Sequence, residues 1–262
     1  MSRKSARVIE ETKKEFDSAL KNLAAASGEI HHVETYRVDP GSTIAIVGMG
    51  FSNIMFNLDF ESGNKKPADH VWAINSAAVW FRNVDMAIAM DDLRRDKHTH
   101  ARYVEALTKL SIPLMTTDQY PEYPNTVRYP IEDVVKTVFK GSKWLAQKNL
   151  QNTVNYAVAL AIKEKAAMIK MYGCDFTRQD DPRLLKAAFP TRHWMNDPDW
   201  FMYHDKEVVR HRAAGEPGEA ATNFLLGLAF ERGIDIWVCD HSSLMDNDRI
   251  DHFYGYQEQP KI

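Results

Sequence analysis

The chain has 262 residues, 44% of them hydrophobic and 26% charged, with a formal net charge of −3. One sizeable core is the simplest arrangement for this length. The near-neutral balance excludes a global electrostatic drive toward nucleic acid or membrane surfaces, although net charge says nothing of local patches.

The first predicted element is a helix over 5–27, where Val8, Phe16, Leu20 and Leu23 fall near one face. Residues 1–40 are read as this helix and a linker, packed on the body or on a partner subunit, the latter making a homo-oligomer. The opening stretch MSRKSARVIEETKKEF has no apolar signal-peptide core, and no segment approaches the roughly 18 apolar residues of a membrane span. From residue 41 onward strands and helices alternate. TIAIVG (43–48) is continuously apolar, as expected of a strand covered on both faces. Further strands are predicted at HVWAIN (70–75), VDMAIAMD (84–91), IPLMTT (112–117), TVRYP (126–130), AAMIKMYG (166–173) and IDIWVCD (234–240). Helices are predicted over 99–110, 150–165 and 216–233, the last opening on Glu216-Pro217 and closing on Gly233.

This alternation predicts an α/β fold with a single doubly wound, mostly parallel sheet of Rossmann-like type, helices covering both faces. Residues 41–262 form this domain, interrupted by a segment of about 177–215 that is rich in aromatic residues, His, Asp, Arg and Pro and has little periodicity. Such an insertion reads as a lid or binding loop. The two cysteines, Cys174 and Cys239, each end an apolar run. They read as buried, reduced thiols, in keeping with a cytoplasmic location.

In an open parallel sheet, ligands bind beyond the carboxyl ends of the strands. The residues there are Gly48 to Asn53, Asn75-Ser76, Asp91-Asp92, Thr116-Thr117-Asp118, Gly173 to Phe176 and Asp240 to Ser243, nearly all small or polar. A ligand site at this rim is therefore expected, with Gly48, Gly50, Ser52, Asn53, Asn75, Ser76, Asp91, Thr116, Gly173 and Asp175 among its residues. The turn after the first strand meets the first two positions of G-x-G-x-x-G, but Asn53 replaces the third glycine and no acidic residue ends the next strand. That argues against NAD, and no P-loop occurs. Asp91 and Asp92 are adjacent, so on an extended backbone they point to opposite faces and do not converge on a metal ion. No H-E-x-x-H or CxxC occurs, and no metal or resident cofactor is expected. His98 and His100, like His31 and His32, read as exposed loop histidines. For acid–base work the candidates are His193, His204 and His211 in the insertion and His241 after the last strand. GSKWLAQKN and RHWMNDPDWFMYH interleave basic and aromatic residues that would stack bases or sugars, or would pack a small satellite core.

Taken in order, IAIVGMGFSN, VWAINSAAVWF, VDMAIAMDD, NTVNYAVALAI and MIKMYGCDF resemble the bacterial sialyltransferase-like fold and the related motility-associated-factor glycosyltransferases. The closing run GEAATNFLLGLAFERGIDIWVCDHSSLMD, followed by FYGY, is similar to small phage-encoded relatives. The resemblance spans roughly residues 42–256. It implies a metal-independent glycosyltransferase using a nucleotide sugar as donor. Gly48, Gly50, Ser52 and Asn53 would line the nucleotide pocket and Asn75 would reach the nucleotide or donor sugar. Asn152, Thr153 and Asn155 would contact its phosphates or base, and Asp175 would close the rim. His193 or His204 would be the base. The acceptor is a hydroxyl of a modified DNA base, a glycan or a small metabolite. A nucleotide-binding or nucleotide-hydrolysing protein without transferase activity, and an inactive interaction protein of the same fold, are the alternatives.

Overall fold

The computed structural model describes residues 36–48, 56, 66–81, 83–99, 101–174 and 218–239. The helix expected over 5–27 and the insertion over 177–215 lie outside the described residues. So do Gly50, Ser52, Asn53, Asp175, His193, His204, His211 and His241.

Seven strands form one sheet: β1 (Thr43–Val47), β2 (His70–Ile74), β3 (Met86–Ile88), β4 (Leu114–Thr116), β5 (Thr126–Arg128), β6 (Met168–Tyr172) and β7 (Asp235–Val238). Their order is β5-β4-β3-β2-β1-β6-β7, and every pairing is parallel. Each strand sits inside the range expected of it. The carboxyl ends retreat by one to three residues, because the last positions of each range continue into turns rather than into the ladder. The chain builds outward from β1 to β5 and then returns to the other side of β1 for β6. The fold is therefore a Rossmann-like α/β sheet with its topological switch point between β1 and β6.

The helices are α1 (Ala77–Trp80), α2 (Leu93–Thr99), α3 (Ala101–Thr108), α4 (Ile131–Thr137), α5 (Lys143–Asn149) and α6 (Thr153–Lys163), with α7 over 218–231. Alternation along the strands divides the core in two. Ile44, Ile46, Trp72, Ile74, Met86 and Ile88 face one way, where Val134, Ala157, Leu160, Leu225 and Ala229 of α4, α6 and α7 meet them. Ala45, Val47, Val71, Ala73 and Ala87 face the other way, against Ala77, Leu93, Val104 and Leu107 of α1 to α3. Both faces are thus covered, which is why β1 reads as a continuous apolar run instead of an alternating one. Burying each larger aliphatic side chain stabilises the fold by roughly 1.5–3 kcal/mol.

Three features depart from the sequence reading. α3 lies inside the helical range expected over 99–110, and helical structure not expected from the sequence, α2, begins earlier at Leu93. The carboxylate of Asp92 accepts the Arg94 amide at 3.0 Å and starts that helix ahead of the apolar pattern. As a consequence His98 is an exposed helical residue and not a loop histidine. α4 and α5 follow β5 in a stretch whose polar residues mask the periodicity. GSKWLAQKN is α5 itself, capped by Ser142, whose hydroxyl accepts from Leu145 N, and its Trp144 is 64% exposed. At the far end, Gly233 closes α7 as expected, with φ of 76° and Ile234 N donating to Ala229 O. Cys174 and Cys239 are both buried, as expected.

Candidate functional site at the carboxyl ends of β1, β2 and β6

At the switch point β1 and β6 approach so closely that side chains do not fit. Gly48 N donates to Tyr172 O at 2.7 Å. A Cβ on Gly48 would lie 2.3 Å from the carbonyl oxygen of Gly173. Gly48 is thus required by the packing of the two strand ends. Gly173, which follows β6, has φ of 60°, a left-handed conformation that glycine adopts without steric cost.

Beside it, β2 is followed by Asn75, a non-glycine residue with φ of 51°. Its N–H still donates to Ile88 O of β3 at 2.8 Å, so the turn starts while the ladder is intact. The left-handed backbone swings the side chain toward α6, where the Thr153 hydroxyl donates to Asn75 Oδ1 at 3.4 Å. Left-handed backbone in a non-glycine residue is uncommon, and it clusters at functional sites. Ser76 caps α1 through its main chain only and makes no side-chain capping bond.

The amino end of α6 is held by a reciprocal capping box. Asn152 Oδ1 accepts from Asn155 N at 3.1 Å, and Asn155 Oδ1 accepts from Asn152 N and Gln151 N, both at 3.2 Å. The same Asn155 amide donates through Nδ2 to Gly218 O at 3.3 Å and to Thr222 Oγ1 at 2.7 Å. Every hydrogen-bonding position of this fully buried side chain is used within the fold. The Asn155 side chain thus joins the start of α6 to α7. Asn152 and Thr153 remain at the rim, the first half-buried and the second buried but bonded to Asn75.

The other half of the rim, after β3 and β4, is organised differently. Thr116 is fully buried, and its hydroxyl donates to the Asp118 carbonyl, closing the turn. A small hydroxyl at a strand end serves a tight turn as readily as a ligand. Asp91 is half-buried and Asp92 exposed. Arg94 grips Glu122 with two bonds, Nε to Oε1 at 2.7 Å and Nη2 to Oε2 at 3.0 Å. Its guanidinium lies 5.2 Å from the centre of the Tyr120 ring, and Tyr120 Oη donates to Asp92 at 3.4 Å. The Arg94 hydrogen bond holds the Glu122 carboxyl down at about 2. Burial, then the negative charges of Asp91 and Asp96, push the Tyr103 phenol up. Among the described residues no group of three His, Cys, Asp or Glu side chains is placed to hold a metal ion.

A groove of about 620 Å³ lies elsewhere, among α4, α5 and α6, lined by Ile131, Val135, Lys143, Leu150 and Tyr156 among others. None of the rim residues expected from the sequence lines it. Among the described residues no helix is long and apolar enough to cross a membrane.

No protein-family model matches the chain, and no curated protein is significantly similar to it in sequence. Among solved structures it is similar to the sialyltransferase CstII from Campylobacter jejuni in complex with the substrate analogue cytidine-5'-monophosphate. That match has 15% identity and a TM-score of 0.47, covering 83% of this chain and 86% of that one. The complex of the same enzyme with CMP-3FNeuAc matches at 14% identity and a TM-score of 0.45, covering 78% of this chain and 83% of that one. At these values the likeness assigns no residue role in this chain.

Proposed function

We propose that this protein is a glycosyltransferase that binds a nucleotide-sugar donor over the carboxyl ends of β1, β2 and β6. The observation that carries the reading is Asn75, held in left-handed backbone at the end of β2 and bonded to Thr153 in the first turn of α6. The capping box engages the Asn152 and Asn155 amides, and the N–H groups of Thr153 and Val154 are the ones a helix leaves unpaired at its start. Together with the helix dipole, they suit the phosphate of a departing nucleotide. Gly48 passes close against the Gly173 backbone, which joins the ends of β1 and β6 at this rim.

In the reaction, the acceptor hydroxyl attacks the anomeric carbon while the bond from that carbon to the phosphate oxygen breaks. The electron pair leaves with the phosphate, and the hydroxyl proton passes to His193 or His204 as base. No metal ion is invoked in this reading. Gly50, Ser52, Asn53 and Asp175 complete the donor wall.

The test is thermal shift with UDP-, GDP-, TDP- and CMP-linked sugars and the free nucleotides, followed by transfer assays. A shift with one nucleotide sugar and turnover to a hydroxyl acceptor is the expected result. His193→Ala or His204→Ala is expected to lower turnover on the order of 100-fold, the usual scale of a lost general base, with donor affinity unchanged. Binding of free nucleotide without transfer would replace this reading by a nucleotide-binding one, and no shift with any compound would sink both.

A further inference from the structure

We infer that Thr222 of α7, acting with Asn155, is a positioning residue for the donor rim. The inference rests on the glycosyltransferase reading for its functional consequence, and on the hydrogen bonds of the fold for its mechanism. Thr222 is fully buried. Its hydroxyl accepts from Asn155 Nδ2 at 2.7 Å and donates to Gly218 O at 2.9 Å, so both its donor and acceptor capacities are engaged. Asn155 in turn holds the amides of Gln151 and Asn152 through Oδ1. One unbroken chain of bonds therefore runs from the first turn of α7, through Thr222 and Asn155, to the residues that start α6. Thr153, the next residue, meets Asn75 at the end of β2.

The physical consequence follows from where this chain is anchored. α6 and α7 lie on the same face of the sheet and share apolar contacts, which are non-directional and do not by themselves fix the height of one helix against the other. A directional bond between buried groups does, because shifting the α6 terminus by an ångström would leave an amide unpaired in an apolar environment. The brace thus fixes the height of the α6 amino end relative to Asn75. Donors aimed at a phosphate depend on that placement, since misplacement by about 1 Å is felt strongly at such sites.

Three variants test this in the full chain. Thr222→Val removes the hydroxyl at constant shape, and Thr222→Ser restores it. Val104→Ala opens a small cavity on the opposite sheet face and serves as the control for general destabilisation. Two quantities are read: amide hydrogen exchange of residues 151–156, and affinity for whichever nucleotide sugar of the UDP-, GDP-, TDP- and CMP-linked panel gives the largest thermal shift. Thr222→Val is expected to speed exchange at 151–156 and to weaken donor binding about tenfold, the scale of one buried hydrogen bond. Thr222→Ser is expected to recover both, and Val104→Ala to change neither beyond its effect on melting temperature. Faster exchange with unchanged donor affinity would overturn the positioning role, as would a Thr222→Val protein that behaves like Val104→Ala. If the wild-type protein binds no nucleotide sugar, the glycosyltransferase reading falls by itself. The brace is then judged on exchange alone: local acceleration upholds it and unchanged exchange overturns it.

Discussion

The two halves of the carboxyl rim are built from similar residue types and end in different states. After β3 and β4 the polar groups satisfy one another: Arg94 holds Glu122, Tyr120 meets Asp92, and Thr116 closes its own turn. After β1, β2 and β6 the polar groups sit on unusual backbone. Asn75 and Gly173 have left-handed φ, Gly48 has no room for a side chain, and the start of α6 is braced from below by Asn155 and Thr222. A self-paired surface needs only favourable charges. A strained and braced one persists only where the surrounding structure holds it in place, which is what a preformed binding site requires.

This contrast can be broken most severely at Gly48. Gly48→Ala places a methyl 2.3 Å from a backbone oxygen that cannot rotate away. The expected cost is about 3 kcal/mol or more, at or above the upper end for overpacking. In a chain of this size that lowers the melting temperature by roughly 6–12 °C. An unchanged melting temperature would mean that the strand ends are not so close.

Asn75 gives the next largest effect and separates backbone from side chain. Asn75→Ala is expected to lose about 1–2 kcal/mol of stability, because alanine resists left-handed φ. Asn75→Gly avoids that strain. Both lose the bond to Thr153, so both are expected to weaken donor binding about tenfold, or about 1.4 kcal/mol. Calorimetric titration of the two variants distinguishes the roles, and full affinity in Asn75→Gly would remove the side chain from the site.

The smallest effect is expected in the self-paired half. Arg94 and Glu122 are solvent-exposed, and solvent screening leaves such a pair little influence on stability. Its sign is nonetheless defined. The folded-state value of Glu122 is lowered from 4.5 to about 2, so any stabilisation is present above pH 4.5 and lost as pH falls toward 2. Wild type and Glu122→Gln should therefore differ slightly at neutral pH and converge in acid, with donor affinity equal in both. A loss of donor affinity in Glu122→Gln would extend the site across the whole rim.

Much of this architecture was legible along the chain. The continuous apolar run at 43–47 marked a strand buried on both faces, and the apolar stretches at 70–74 and 168–172 marked further strands of the same sheet. The apolar spacing over 150–165 marked a helix, and its capped start at Asn152 emerged only in the structure. Less was legible in the polar stretches. Asp92, Arg94, Tyr120 and Glu122 meet only because β3 and β4 are neighbours. Thr222 lies in the middle of an apolar helix, with nothing around it in the sequence to connect it to Asn155, 67 residues away.

By itself the sequence determined the element types, their alternation and hence a parallel α/β sheet. Those depend on periodicity and on turn chemistry, which act over a few residues. The tertiary structure decided which polar side chains are used up inside the fold. Thr116 and Asn155 looked as available as Asn75 and Asn152 when read in a line. Hydrogen-bond saturation depends on partners brought together from distant segments, and only packing supplies those partners.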